Sequence, residues 1–126
     1  MADKKRILIV EDEADQVEWL TLFFSENGYD VISADNGRDG FEKAEDQAPD
    51  LITLDISMPG ESGVKMYHKL IKSEKAKDIP VVIITGAPGD LKNFIAKVKS
   101  FPAPAGYLEK PVNRDNLLET IRNLIG

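Results

Sequence analysis

Short β-branched runs alternate with helical periodicity along the chain. Ile7–Val10, Leu51–Leu54 and Pro80–Thr85 are unbroken, mainly apolar stretches, as strands covered on both faces read. Tyr29–Ala34 is a further strand candidate, and Gly106–Leu108 a weaker one. Between them lie five helical patterns. Residues 14–27 place Val17, Leu20 and Phe24 on one face, widened by Trp19, Leu22 and Phe23, and Gly28 follows as a stop signal. Residues 37–48 carry Phe41, Ala44 and Ala48, and Pro49 ends the pattern. Residues 63–74 carry Tyr67, Leu70 and Ile71, while 90–99 show Leu91, Phe94, Ile95 and Val98. Residues 114–125 show Leu117, Leu118, Ile121, Leu124 and Ile125, with Asn113 placed to cap the start. Five strand–helix repeats predict an α/β fold: a parallel, doubly wound sheet whose right-handed crossovers put helices on both faces. Such sheets gather their sites at the carboxyl ends of the strands, where the strand order reverses.

The residues just past each strand therefore carry the chemistry. Glu11, Asp12, Glu13 and Asp15 follow the first strand, Asp55 the third, Thr85 and Gly86 the fourth, Lys110 and Pro111 the fifth. Taken singly, each has an ordinary reading: acids at a helix start answer the macrodipole, an Asp or a Thr before Gly suits a turn, and a Lys before Pro is a solvated side chain. Their joint arrival at one edge is different. Carboxylates forced together resist simultaneous ionisation unless a cation joins them. Asp12, Asp55 and Glu11 are hard oxygen ligands of the kind Mg²⁺ takes. With an ammonium and a hydroxyl beside them, they form a setting for phosphoryl oxygens.

Composition narrows the field. The chain has 126 residues, 42% of them apolar, enough for one domain with a single sizeable core. Acids outnumber bases 22 to 16 and the net charge is −6, which argues against direct nucleic-acid or anionic-membrane binding. With no cysteine and one histidine, His68, thiolate sites, cysteine nucleophiles and multi-histidine zinc sites are excluded. No Gly-x-Ser-x-Gly elbow and no phosphate-binding Gly-x-x-x-x-Gly-Lys loop occurs. The apolar run after the basic start is four residues long, too short for a signal peptide or a membrane span, and a cytoplasmic location is expected.

The sequence resembles the receiver domain of two-component response regulators along essentially its whole length. The matching pieces are Ile7 to Glu13, Asp50 to Gly60 around Asp55, Val81 to Gly86, and Gly106 to Pro111. The resemblance implies a flavodoxin-like strand order 2-1-3-4-5 and one receiver domain over 1–126, with no output domain in this chain. It implies Asp55 as phosphoacceptor, Asp12 as the main direct Mg²⁺ ligand (Mn²⁺ being an alternative ion), Glu11 acting through water, and the backbone carbonyl of Ser57 as a further ligand. Lys110, preceding a cis bond to Pro111, pairs with the phosphoryl group; Thr85 hydrogen-bonds it, and Tyr107 is the aromatic switch. Gly63 matches a glycine that opens the third helix. The implied donor is a sensor histidine kinase or a histidine phosphotransfer protein. The implied output is a protein contact on the face of helix four, strand five and helix five, by a monomer or a weak phosphorylation-dependent dimer. His68 has no matching role and is expected at the surface, and Trp19 is expected to pack on helix one.

Three departures stand out. Glu11 replaces the more usual aspartate. Ser57 and Ala87, two residues after Asp55 and Thr85, are neither acidic nor amide-bearing, so slow self-dephosphorylation is expected. The interval from Thr85 to Lys110 is longer than usual and contains Pro102 and Pro104, which suggests a different partner surface. The alternatives are a receiver fragment of a hybrid kinase or multidomain regulator, and a phosphorylation-independent interaction domain on the same fold. A flavodoxin-like cofactor carrier is disfavoured by Glu11-Asp12-Glu13, and a haloacid-dehalogenase-type phosphatase by Ser57 in place of its second aspartate.

Overall fold

The computed structural model describes residues 4–58, 62–86 and 88–126. Five strands and five helices alternate: β1 (Arg6–Val10), α1 (Ala14–Glu26), β2 (Asp30–Ala34), α2 (Gly37–Gln47), β3 (Leu51–Asp55), α3 (Ser62–Lys72), β4 (Val81–Thr85), α4 (Pro88–Val98), β5 (Gly106–Glu109) and α5 (Arg114–Ile125). All neighbouring strands are parallel, in the order β2-β1-β3-β4-β5, as the resemblance implied. The strand order reverses between β1 and β3, and β1 pairs with β3 from Ile7↔Leu51 to Val10↔Leu54.

Alternation along the strands divides the core in two. Leu8, Val10, Ile52, Leu54 and Ile83 point to one face, where α2, α3 and α4 contribute Ala44, Met66, Leu70, Phe94 and Val98. Ile7, Ile9, Leu51 and Val82 point to the other, where α1 and α5 contribute Leu20, Phe24, Leu117 and Ile121. The unbroken apolar runs follow from this double coverage. The helix ends follow local chemistry. Asn113 accepts the Asn116 amide at 3.0 Å, as expected, and Asn36 likewise accepts the Asp39 amide at 2.9 Å. Gly28 has φ +93°, a left-handed conformation in which glycine ends α1 without steric cost.

Several expected core positions are not buried. Leu22 is 57% exposed, Ile95 44% and Leu124 37%, because each apolar stripe is wider than the strip of helix that touches the sheet. Ala48 lies beyond α2, exposed and left-handed at φ 44°. His68 is not a surface residue. It is half-buried, its ring 4.7 Å from that of Phe101. Trp19 packs as expected, stacked on Phe23 with ring centroids 5.6 Å apart, and the Arg114 guanidinium lies over its ring, 5.8 Å from the centroid. Among the described residues, no helix is long and apolar enough to cross a membrane.

The Pro102–Pro104 segment is tied down at both ends. The Tyr67 hydroxyl donates to the Pro102 carbonyl, and the Ala105 amide donates to the Val81 carbonyl at 2.8 Å.

Candidate functional site

The carboxyl ends of β1, β3, β4 and β5 lie side by side, so residues far apart in sequence meet there. Asp55 is the last residue of β3, opposite Ile84, and Thr85 ends β4 opposite Glu109. The Lys110 amide donates to the Thr85 carbonyl at 2.8 Å, which carries the end of β5 onto the end of β4. The Glu11 amide donates to the Ala34 carbonyl at 3.0 Å, which extends the pairing of β1 with β2 by one residue. The Lys110–Pro111 bond is cis, as the resemblance implied.

The side chains converge. The Lys110 ammonium stands 2.8 Å from Glu11 Oε1, 3.2 Å from Asp55 Oδ2 and 3.9 Å from Glu13 Oε1. The Ser57 amide donates to Asp55 Oδ1 at 2.7 Å, so both Asp55 oxygens are held. Glu11 and Asp55 are each 2% exposed and Thr85 is 1% exposed, whereas Asp12 faces solvent. Gly63 explains how α3 approaches so closely: a Cβ there would stand 3.0 Å from Ile56 Cα and 3.1 Å from the Asp55 carbonyl oxygen.

Burial, together with a hydrogen bond to Asp55, pushes the Glu11 carboxyl up to about 8, although Lys110 pulls the other way. Burial would raise Asp55 too. Its hydrogen bonds from Glu11 and the Ser57 amide and the charge of Lys110 outweigh that, and its carboxyl lies below the ordinary value. Burial would lower Lys110, but Glu11 and Asp55 hold it above its ordinary value. Burial thus opposes full ionisation of the pair, most strongly at Glu11, while the one ammonium of Lys110 serves both carboxyl groups.

Glu11, Asp12 and Asp55 each offer an oxygen, and the three oxygens lie within 4.8 Å of one another. An all-oxygen set with one solvent-facing member suits a hard divalent cation that keeps several waters, and Mg²⁺ fits it. A second positive charge would also favour the ionised form of Glu11 against the burial that raises it.

Asp12, Glu11, Asp55, Ser57, Thr85 and Lys110 therefore gather at one edge. Tyr107 lies on β5 opposite Ile83 and is 39% exposed, one register step back from the cluster. Two contacts have no counterpart in the sequence patterns: Glu13 beside Lys110, and the Ser57 hydroxyl, which accepts the Gly86 amide at 3.0 Å. Ala87, singled out with Ser57, lies outside the described residues, as do Pro59 and Gly60.

The profile of the response regulator receiver domain matches residues 7–122. Protein PilH of Pseudomonas aeruginosa is 34% identical, covering 95% of this chain and 97% of that protein. The phosphate regulon transcriptional regulatory protein PhoB of the same organism is 32% identical over 96% of this chain and 52% of its own, so the chain spans about half of that relative. Among solved structures, the receiver domain of the P. aeruginosa sensor histidine kinase PA1611, with a magnesium ion coordinated in its active-site cleft, matches with a TM-score of 0.86 at 25% identity, covering 98% of this chain and 99% of that one.

Proposed function

Because the chain belongs to the response regulator receiver domain family, we propose that it is a phosphoacceptor switch that takes a phosphoryl group from a phosphohistidine onto Asp55. The observation that carries this reading is the convergence of Lys110 on Asp55 at 3.2 Å, inside the group of three acids. Asp12, Asp55 and Glu11, with the Ser57 carbonyl, would hold Mg²⁺, or Mn²⁺ in its place. When bound, the ion supplies positive charge for the phosphoryl oxygens.

The residues of the chain then divide the work. Asp55 is ionised below its ordinary range and pinned by the Ser57 amide, so it is both charged and oriented as a nucleophile. One of its oxygens attacks phosphorus in line with the departing imidazole nitrogen. The P–N bond breaks, its electron pair stays on the imidazole, and a carboxyl–phosphate anhydride forms on Asp55. Lys110 turns from Asp55 toward the new oxygens, and Thr85 donates its hydroxyl to one of them. The added charge, roughly −2, draws Thr85 inward. Tyr107 then rotates from its exposed position toward the space left behind. The face of α4, β5 and α5 changes, and a protein partner reads it.

The donor is a sensor histidine kinase or a histidine phosphotransfer protein, and the setting is cytoplasmic. The near-complete overlap with PilH supports a unit that works without an attached output domain, and the proposed state is a monomer or a weak phosphorylation-dependent dimer. The half-length overlap with PhoB supports the second reading, a receiver within a longer regulator.

Incubation with acetyl phosphate and Mg²⁺ tests the proposal. Intact mass should rise by one phosphoryl group in the wild type and stay unchanged in Asp55→Asn. An equal gain in both proteins would remove Asp55 from its role. No gain in either would favour a phosphorylation-independent interaction domain.

A further inference from the structure

We propose that the Ser57 hydroxyl is a latch, which ties the loop after β3 to the loop after β4 and must release before Asp55 takes a phosphoryl group. The proposal rests on the reading of Asp55 as phosphoacceptor. These two loops flank Asp55. The Gly86 amide donates to Ser57 Oγ at 3.0 Å, across 29 positions of sequence. The same serine holds Asp55 with its backbone, through the 2.7 Å bond from its amide to Oδ1. One residue therefore fixes the nucleophile and, with a different atom, the loop opposite.

The surroundings of Gly86 give the latch its consequence. A Cβ on Gly86 would stand 3.7 Å from Ser57 Oγ and 3.7 Å from Lys110 Cδ. Gly86 thus lies close to both the serine and the stem of the lysine that contacts Asp55. Its amide is also the first donor after Thr85, on the strand end that supplies the proposed phosphoryl-sensing hydroxyl. While Ser57 accepts that amide, the β4 end is held in its resting place. An incoming phosphoryl group brings three strong acceptor oxygens, and charge-assisted hydrogen bonds are roughly twice as strong as neutral ones. The phosphorylated state can therefore outbid a serine hydroxyl for the amide, whereas in the resting state the latched form is the more populated one. A hydrogen bond of ordinary net strength corresponds to about 2–10-fold in the population of the released form. The hydroxyl is exposed to solvent, so its removal leaves no buried orphan. This role differs from metal ligation, which would use the Ser57 carbonyl.

The test compares wild type, Ser57→Ala and Ser57→Thr, each also with Asp55→Asn. Initial rates of phosphoryl uptake from acetyl phosphate are measured at saturating Mg²⁺, and hydrogen exchange of the Gly86 amide is followed by NMR. Ser57→Ala should take up phosphoryl groups about 2–10-fold faster than wild type, and its Gly86 amide should exchange faster. Ser57→Thr, which keeps the hydroxyl, should restore the wild-type values of both. A Ser57→Ala rate equal to or below wild type, or a Ser57→Thr protein that behaves as Ser57→Ala, would overturn the latch while leaving Asp55 in its role. Uptake that is absent in the wild type, or that persists in Asp55→Asn, would overturn the phosphoacceptor reading and the latch with it.

Discussion

At the scale of single residues, Lys110 is the counter-charge for two buried carboxyl groups. Lys110→Met should lower phosphoryl uptake by ~10²-fold, the usual cost of removing one preorganised charge from a site, and acetyl phosphate kinetics measure it. Asp12 differs in being exposed, so its replacement leaves no buried hole. Mg²⁺ at a hundredfold excess over Kd should stabilise the wild type by about 2–3 kcal/mol, because only the folded chain gathers the three acids. Asp12→Asn should lose most of that gain, and a chelator should abolish it in the wild type, as urea unfolding would report. Asp12, Asp55, Thr85 and Lys110 were legible in the sequence because Asp55 and Thr85 end strands and Asp12 and Lys110 follow one within two residues, and strand ends have fixed places in a parallel sheet. Glu13 beside Lys110 and the Ser57 hydroxyl on Gly86 were not, because both depend on how a loop turns after the strand stops. The buried state of Glu11 was missed for a related reason: the acidic run reads as a solvated helix start, but its first member still pairs with the sheet.

At the scale of elements, the helices divide into a buried strip and an apolar margin. Phe94→Ala in α4 should cost about 3–5 kcal/mol, since its ring is 1% exposed and stands edge-on to Tyr67 at 5.4 Å. Ile95→Ala, one position on and 44% exposed, should change stability by less than about 0.5 kcal/mol. Urea unfolding of the two variants checks the contrast. Periodicity placed both residues on one stripe and had no means of separating them, because the width of the buried strip is set by the sheet beneath it. Tyr67 makes a second prediction. Burial and the nearby Tyr107 push its phenol up to about 12, above the unfolded value of about 10. The folded protein therefore holds a proton that the unfolded chain releases. The resulting stability is fully present below pH ~10 and falls as pH rises toward about 12. Tyr67→Phe should flatten that alkaline decline in urea unfolding curves taken across the same range. The alternation of five strands and five helices was legible throughout, with ends displaced by one or two residues, as where the left-handed Ala48 ends α2 at Gln47.

At the scale of the whole molecule, the two halves of the core meet only through the sheet, and the site occupies its carboxyl edge. Asp55 ends β3 beside β4, and the ends of β4 and β5 are joined by the bond from the Lys110 amide to the Thr85 carbonyl. The persistence of the signal is a property of that edge. Ser57 places no carboxylate or amide side chain two residues after Asp55, so the water that would reset the switch is expected to be poorly oriented. The phosphorylated state should decay with a half-life longer than about a minute, given the loss of a general base or water-orienting group worth ~10²-fold or more. Loss of the radiolabelled phosphoryl group over time measures it, and decay within seconds would contradict it. The fold class was carried by hydrophobic runs and their separators along the whole chain, whereas the strand order came only with the receiver-domain resemblance, because the runs do not say which strands pair. The course of the Pro102–Pro104 segment was carried by neither, because it depends on one phenol reaching it from α3.

The ammonium of Lys110 rests against two acids before any phosphoryl group arrives. Modification of Asp55 therefore exchanges one set of neighbours for another instead of creating attraction where none existed. Phosphorylation would then shift an existing contact rather than build one, and hydrolysis would let the ammonium return to Glu11 and Asp55.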